Sequence, residues 1–157
     1  SKKFVSAVIL TLVFPVYLFP IATPLVFTGG PPPSNNPEIG QYVKVPQYYK
    51  DAIEYMAKKV ESPHFFMFSD DYDWVVENFK SLAYPITFIK NGPEKNHEDI
   101  TLMSQCKHHI IANSSFSWWG AWLNPSKDKI VIGPKQWHKN APKINTVDLL
   151  PDGWLRL

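Results

Sequence analysis

Three short polar strings hold most of the side chains that could bind or react. They are Ser69-Asp70-Asp71 with Asp73 close behind, Asn91-Gly92 with Asp99 downstream, and Asn113-Ser114-Ser115 running into Phe116 and Ser117. Each comes at the end of a short apolar run: His64 to Phe68, Ile86 to Ile89 (with Lys90 between) and His109 to Ala112. Carboxylates spaced as Asp71 and Asp73 could hold Mg²⁺ or Mn²⁺ on a diphosphate. The metal-free alternative has one carboxylate accepting from ribose hydroxyls and another capping a helix. A lone D-x-D is a weak signal, so the expectation is a site with no metal and no cofactor.

Asn113 to Ser117 (NSSFS) has the make-up of a junction between a strand and a helix. The first amides of a helix lack internal acceptors and sit at the positive end of its dipole. A diphosphate is the natural guest there, met by the Ser115 hydroxyl and the amides of Ser115 and Phe116. Plain N-capping by Ser115 or Ser117 is the alternative. Asn113-Ser114-Ser115 is also a formal glycosylation sequon, but such a junction is a poor acceptor. Asp99 either complements the dipole of a helix start or grips a ribose or guanine.

Other reactive side chains are better explained as structure. His108 and His109 adjoin, so on a strand they face opposite sides and do not share a metal. His64, His97 and His138 are scattered. The single cysteine, Cys106, excludes an internal disulfide framework and any Cys-cluster zinc site; it reads as a buried small apolar residue. Trp118, Trp119 and Trp122 are expected in the core or as a wall on a sheet. Lys and Arg total 16 against 14 Asp and Glu, and two of the 16 are Lys2 and Lys3. The balanced remainder argues against a nucleic-acid surface.

The elements that must position these strings alternate along the chain. Tyr49, Ile53, Met56 and Val60 share a helical face after Pro46. A buried strand follows at 64–68, then a short helix with Trp74, Val75 and Phe79 that Asp73 can cap. A strand at 86–89, a helix over 98–106, a strand at 109–112, the tryptophan helix and a strand at 129–133 complete the run. This order predicts an α/β domain with a parallel sheet and helices on both faces, with ligands beyond the carboxyl ends of the strands.

The first third differs. No charged residue occurs between Phe4 and Pro37, and residues 4–27 are long enough to cross a bilayer of ~30 Å. Lys2 and Lys3 would keep the N-terminus cytosolic, although Pro15, Pro20 and Pro24 interrupt a helix. The expected organisation is an apolar segment over 1–28, read as a single-pass membrane anchor, a Pro/Gly-rich linker over 29–40 and the α/β domain over 41–157. A buried strand pair is the alternative for the apolar segment.

The strings Phe68 to Asp71 (FSDD), Glu98 to Ala112 (EDITLMSQCKHHIIA) and above all Asn113 to Leu123 (NSSFSWWGAWL) resemble the family 11 glycosyltransferases, the α-1,2-fucosyltransferases. Lys129 to Trp137 (KIVIGPKQW) and Asp148 to Leu157 (DLLPDGWLRL) fit as well, so the resemblance runs from about Tyr42 to Leu157. It implies one half of a two-Rossmann GT-B fold, the nucleotide-binding half. It also implies GDP-L-fucose as donor, a terminal β-galactoside as acceptor, and metal-independent transfer to the 2-OH with inversion. By this resemblance Ser115 and Phe116 hold the diphosphate and Asp99 contacts the guanosine. Ser69, Asp70 and Asp71 line the nucleoside side, and Asn113 and Ser114 shape the turn. The family's upstream H-x-R-R-G-D-Y motif has no counterpart here, because no Arg precedes Arg156. The catalytic residues are therefore unassigned, and a partial or diverged member is expected. A non-catalytic nucleotide-sugar-binding remnant on a membrane anchor is the second reading. The family implies a Golgi membrane in a eukaryote or the cytoplasm of a bacterium.

Overall fold

The computed structural model describes residues 23–28, 46–137 and 147–157. The elements are β1 (Thr23–Thr28), α1 (Pro46–Lys59), β2 (Pro63–Phe68), α2 (Tyr72–Phe79), β3 (Ile86–Ile89), α3 (Asn96–Ser104), β4 (His108–Ile110), α4 (Ser115–Trp122), β5 (Val131–Gly133) and β6 (Leu155–Arg156). From α1 to β5 the elements alternate as expected; β1 before that run and β6 after it were not expected. Two short 3₁₀ turns cover Pro93–Lys95 and Val147–Leu149.

The described strands form one six-stranded sheet in the order β3-β2-β1-β4-β5-β6, and each pairing is parallel. That is the order of a doubly wound sheet. The chain moves outward from β1 through β2 to β3, then crosses back to β4 on the other side of β1. Two short hydrophobic clusters show which helix covers which face. Ile110 and Ile132 pack with Tyr49, Ile53 and Met56 of α1. Their neighbours Ile111 and Val131 pack instead with Ala121 of α4. Successive strand side chains point to opposite faces, so α1 and α4 lie on opposite sides of the sheet.

The helical face expected from Tyr49, Ile53, Met56 and Val60 is buried. Phe79 of α2 meets the Tyr49 ring edge-on at 6.2 Å, which places α2 beside α1. Phe65, Phe79, Ile53, Met56 and Met67 are almost completely excluded from solvent, and each contributes about 1.5–3 kcal/mol by burial. Cys106 is buried, as expected.

Several boundaries differ from the sequence expectation. Asp71, not Asp73, caps α2: its Oδ1 accepts from the Trp74 amide at 3.0 Å, and Asp73 falls inside the first turn. α3 starts at Asn96 because the turn at Pro93–Lys95 feeds directly into it. Of the three tryptophans expected as core or wall, Trp118 is partly buried and packs with Ile111, Ala121 and Val131, whereas Trp119 is 48% and Trp122 50% exposed.

The largest departure concerns the apolar leader. Residues 23–27 belong to the expected membrane span 4–27, yet they run as β1 between β2 and β4. A central strand of a parallel sheet and a membrane segment can share an apolar sequence, so the composition does not separate them. Residues 4–22 and the linker over 29–40 lie outside the described residues. Among the described residues no helix is long and apolar enough to cross a membrane.

Candidate functional site

Because the strands are parallel, the loops that follow β2, β3 and β4 open at one edge of the sheet. Ser69-Asp70-Asp71 follows β2, Asn91-Gly92 follows β3, and Asn113-Ser114-Ser115 follows β4. The strand order reverses between β1 and β4. The third string therefore lies at the topological switch point, where open α/β sheets bind ligands.

The turn into α4 is built from the inside. Ser114 is the N-cap residue, extended at φ −129° and ψ 129°, and its side chain makes no capping bond. The caps expected at Ser115 or Ser117 are absent. Ser117 instead is buried and donates its hydroxyl to the Ser114 carbonyl at 2.9 Å, with the Ala112 carbonyl at 3.3 Å. Asn113 Nδ2 donates to the Trp137 carbonyl at 3.1 Å, which ties this turn to the chain leaving β5. Ser115 is exposed and Phe116 partly so. The Trp118 amide closes the first helical bond to Ser114. Among the described residues none accepts from the amides of Ser115, Phe116 or Ser117. An extended N-cap followed by unmet amides is the local geometry that receives an anion.

Asp99 lies in the first turn of α3. Burial pushes its carboxyl above the usual range, and Glu98 adds to that; a hydrogen bond from Asn91 and the charge of Lys95 pull the other way. α3 packs along α4 so closely that a Cβ on Gly120 would lie 2.6 Å from Met103 Sδ. Both helices start at the same sheet edge. Asp99 stands four residues ahead of Met103 and Phe116 four ahead of Gly120, so each rises ~6 Å above that contact.

On the β2 side Ser69 accepts from the Asp71 amide at 3.0 Å, and Asp71 caps α2. The Asp71 carboxylate expected to line the nucleoside side thus already has one oxygen engaged. Asp70 is exposed. A depression of about 640 Å³ lined by residues 104–107 and 124–126 opens at the other edge of the sheet. It lies at the amino ends of the strands, away from all three strings.

Residues 36–155 match the family model described as glycosyl transferase family 11. The chain belongs to this family. The match takes in all three polar strings and Asp99. The chain is 38% identical over 115 residues to the alpha-1,2-colitosyltransferase of Escherichia coli, covering 71% of this chain and 38% of that protein. It is 39% identical over 112 residues to the O-antigen biosynthesis glycosyltransferase WbnK of Escherichia coli, covering 70% and 35%. Over 77 residues it is 30% identical to human galactoside alpha-(1,2)-fucosyltransferase 1, covering 48% and 21%. The chain thus spans little more than a third of the curated bacterial relatives it matches. No solved structure gives a significant match.

Two contacts of this family 11 chain were not legible in the sequence. Asn91 belongs to one of the three polar strings, but its link to Asp99 does not show in the sequence: its Nδ2 donates to Asp99 Oδ1 at 2.5 Å. Tyr48 reads as an ordinary helix position beside Tyr49. Its buried hydroxyl donates to the Ile111 carbonyl at 2.8 Å, with the Ile132 carbonyl at 3.2 Å, and anchors α1 to the strands behind the switch point. Contacts across 63 and 84 residues leave no local signal in the sequence.

Proposed function

We propose that the chain is the nucleotide-sugar-binding part of an α-1,2-fucosyltransferase that takes GDP-L-fucose as donor. The observation that carries this reading is the set of unmet amides at Ser115 to Ser117, set at the switch point of a doubly wound sheet. In this reading the amides of Ser115 and Phe116 hold the diphosphate, and Asn113 and Ser114 shape the turn. Asp99 contacts the guanosine, and Ser69, Asp70 and Asp71 line the nucleoside side. The domain acts as one Rossmann-like half of a GT-B enzyme, and the acceptor, a terminal β-galactoside, is met by the other half.

Transfer with inversion requires the acceptor 2-OH to attack the fucose anomeric carbon from the side opposite the diphosphate. As the glycosidic bond to phosphate breaks, negative charge grows on the β-phosphate. Fixed amide donors at a helix start stabilise that charge without reorganising. No Arg precedes Arg156, so this chain brings no upstream guanidinium to the leaving group. That observation favours a second reading, in which this chain binds the donor without turning it over.

The test is titration of GDP in the presence and absence of Mn²⁺, on the wild type and on Ser115→Pro. Proline is favoured at the first helical position, and the extended Ser114 suits the residue before it. The substitution therefore removes one amide donor while leaving the helix intact. Hydrogen bonds to charged groups contribute about 1.5–3 kcal/mol, so GDP affinity should fall at least tenfold with no dependence on Mn²⁺. Unaltered affinity in a folded Ser115→Pro protein would sink the proposal. Transfer or hydrolysis of GDP-fucose in the presence of lactose separates turnover from binding alone.

A further inference from the structure

Asn91 is exposed at the loop leaving β3 and has no part in the functional reading above. That loop is closed on itself, with the Lys95 amide donating to the Gly92 carbonyl at 2.9 Å. The closure brings Asn91 back over the start of α3. There its side-chain amide meets one oxygen of Asp99, at 2.5 Å. Among the described residues no donor meets the other oxygen. We infer that Asn91 is a positioning residue for nucleoside recognition, clamping Oδ1 of Asp99 so that Oδ2 is presented to paired donors of a nucleoside. The inference rests on the donor-site reading and deepens it.

A carboxylate in the first turn of a helix has two free torsions. A short bond to an ionised acceptor is about twice as strong as a neutral one and restrains both. The clamp also opposes burial, which favours the neutral acid. The other charged groups acting on this carboxyl are Glu98, which works with burial, and Lys95, which works against it. Lys95 is itself 3.7 Å from Glu98. Lys90, at the end of β3, is drawn away over the Tyr72 ring, 4.9 Å from its centroid. Among the described residues Asn91 is the one neutral side chain that donates to Asp99, and it favours the ionised carboxyl without adding a charge beside it. An ionised, fixed acceptor is what the vicinal hydroxyls of ribose or the N–H edge of guanine require.

Two measurements on the full chain test this, with Asn91→Ala and Asn91→Gln beside the wild type. The first follows the Asp99 carboxyl by carbon NMR against pH without ligand. It should titrate at higher pH in Asn91→Ala and move back toward wild type in Asn91→Gln. The second follows GDP affinity from pH 5 to 8. In Asn91→Ala affinity at pH 8 should fall about five- to tenfold, and the acid limb should move up with the carboxyl. The thermal midpoint at pH 8 should stay put. A carboxyl that titrates unchanged in Asn91→Ala overturns the inference. So does a shifted carboxyl with GDP binding unaltered at every pH. Asp99→Asn binding GDP as tightly as wild type would instead overturn the role of Asp99 in the donor-site reading, whatever Asn91 does.

Discussion

His109 is fully buried on β4, and its protonation is fixed by a neighbour. Asn124 Oδ1 accepts from the Ser126 amide at 2.8 Å, so Nδ2 is the end that faces His109 Nε2 at 2.7 Å and the Cys106 carbonyl. Nε2 is therefore the acceptor, and the proton resides on Nδ1, which finds no acceptor among the described residues. Burial, then Lys129 and His108, hold the ring pKa well below the usual value. His108 and His64 are lowered as well, and the Ile130 amide donating to His108 Nδ1 at 3.0 Å also needs a neutral ring. A depressed folded pKa means the unfolded chain binds more protons. Stability is then complete above the unfolded value of about 6.5 and is lost as pH falls below it. Urea unfolding from pH 8 to 5 should be flat at first and then decline, each histidine adding up to ~1.4 kcal/mol per pH unit. His109→Leu should lower the plateau and flatten the decline; a wild-type profile level down to pH 5 would refute this account. At the same scale, Asp71→Ala should cost ~1 kcal/mol as a lost cap. Asp73→Ala should cost less, because a first-turn carboxylate contributes only through the dipole, ~0.3–1 kcal/mol. Equal losses in chemical denaturation would reverse the cap assignment. The sequence showed that an acidic residue starts α2 but not which one, since the two lie two positions apart.

Helix α4 shows where hydrophobicity misleads at the scale of an element. Its tryptophans were expected inside, yet the buried residues are Ser117, Gly120 and Ala121. Gly120 meets Met103 of α3, Ala121 packs against Ile111 and Val131, and Ser117 bonds the carbonyls of its own turn, so this face holds small side chains. Trp118 stacks on Trp122 at 5.1 Å and 13°, and donates its indole N–H to the Leu149 carbonyl at 2.6 Å. Lys129 meanwhile donates to the Ala121 and Asn124 carbonyls at 2.9 and 2.6 Å, satisfying groups that the helix end leaves open. By contrast α1 was legible because its apolar residues recur at helical spacing. Gly120→Ala pits two effects against each other. Alanine gains up to about 1 kcal/mol of helix propensity, but its Cβ would meet Met103 Cβ at 2.8 Å, an atom close to the backbone. Overpacking of this kind costs about 1–3 kcal/mol, so the variant should unfold at lower urea with an unchanged m-value. A stabilised Gly120→Ala protein would mean that the two helices part more easily than their packing implies.

At the scale of the whole molecule the alternation of strands and helices, the parallel sheet and the shared edge of the three polar strings could all be read from residues 46–133. The place of β1 could not. Membership in family 11 gives the sheet its context, but the pairing of residues 23–28 with both β2 and β4 is a long-range fact. It has a practical consequence. A biochemist who takes the greasy leader for a tether would clip it off to make the remainder easy to handle, starting the protein at Gly29. That cut removes the middle plank of the floor: β2 with β3 and β4 with β5 and β6 would be left as two rafts with no shared ladder. The shortened protein should precipitate or melt without a sharp transition, whereas removing a mere tether would give a well-behaved, cooperatively melting domain.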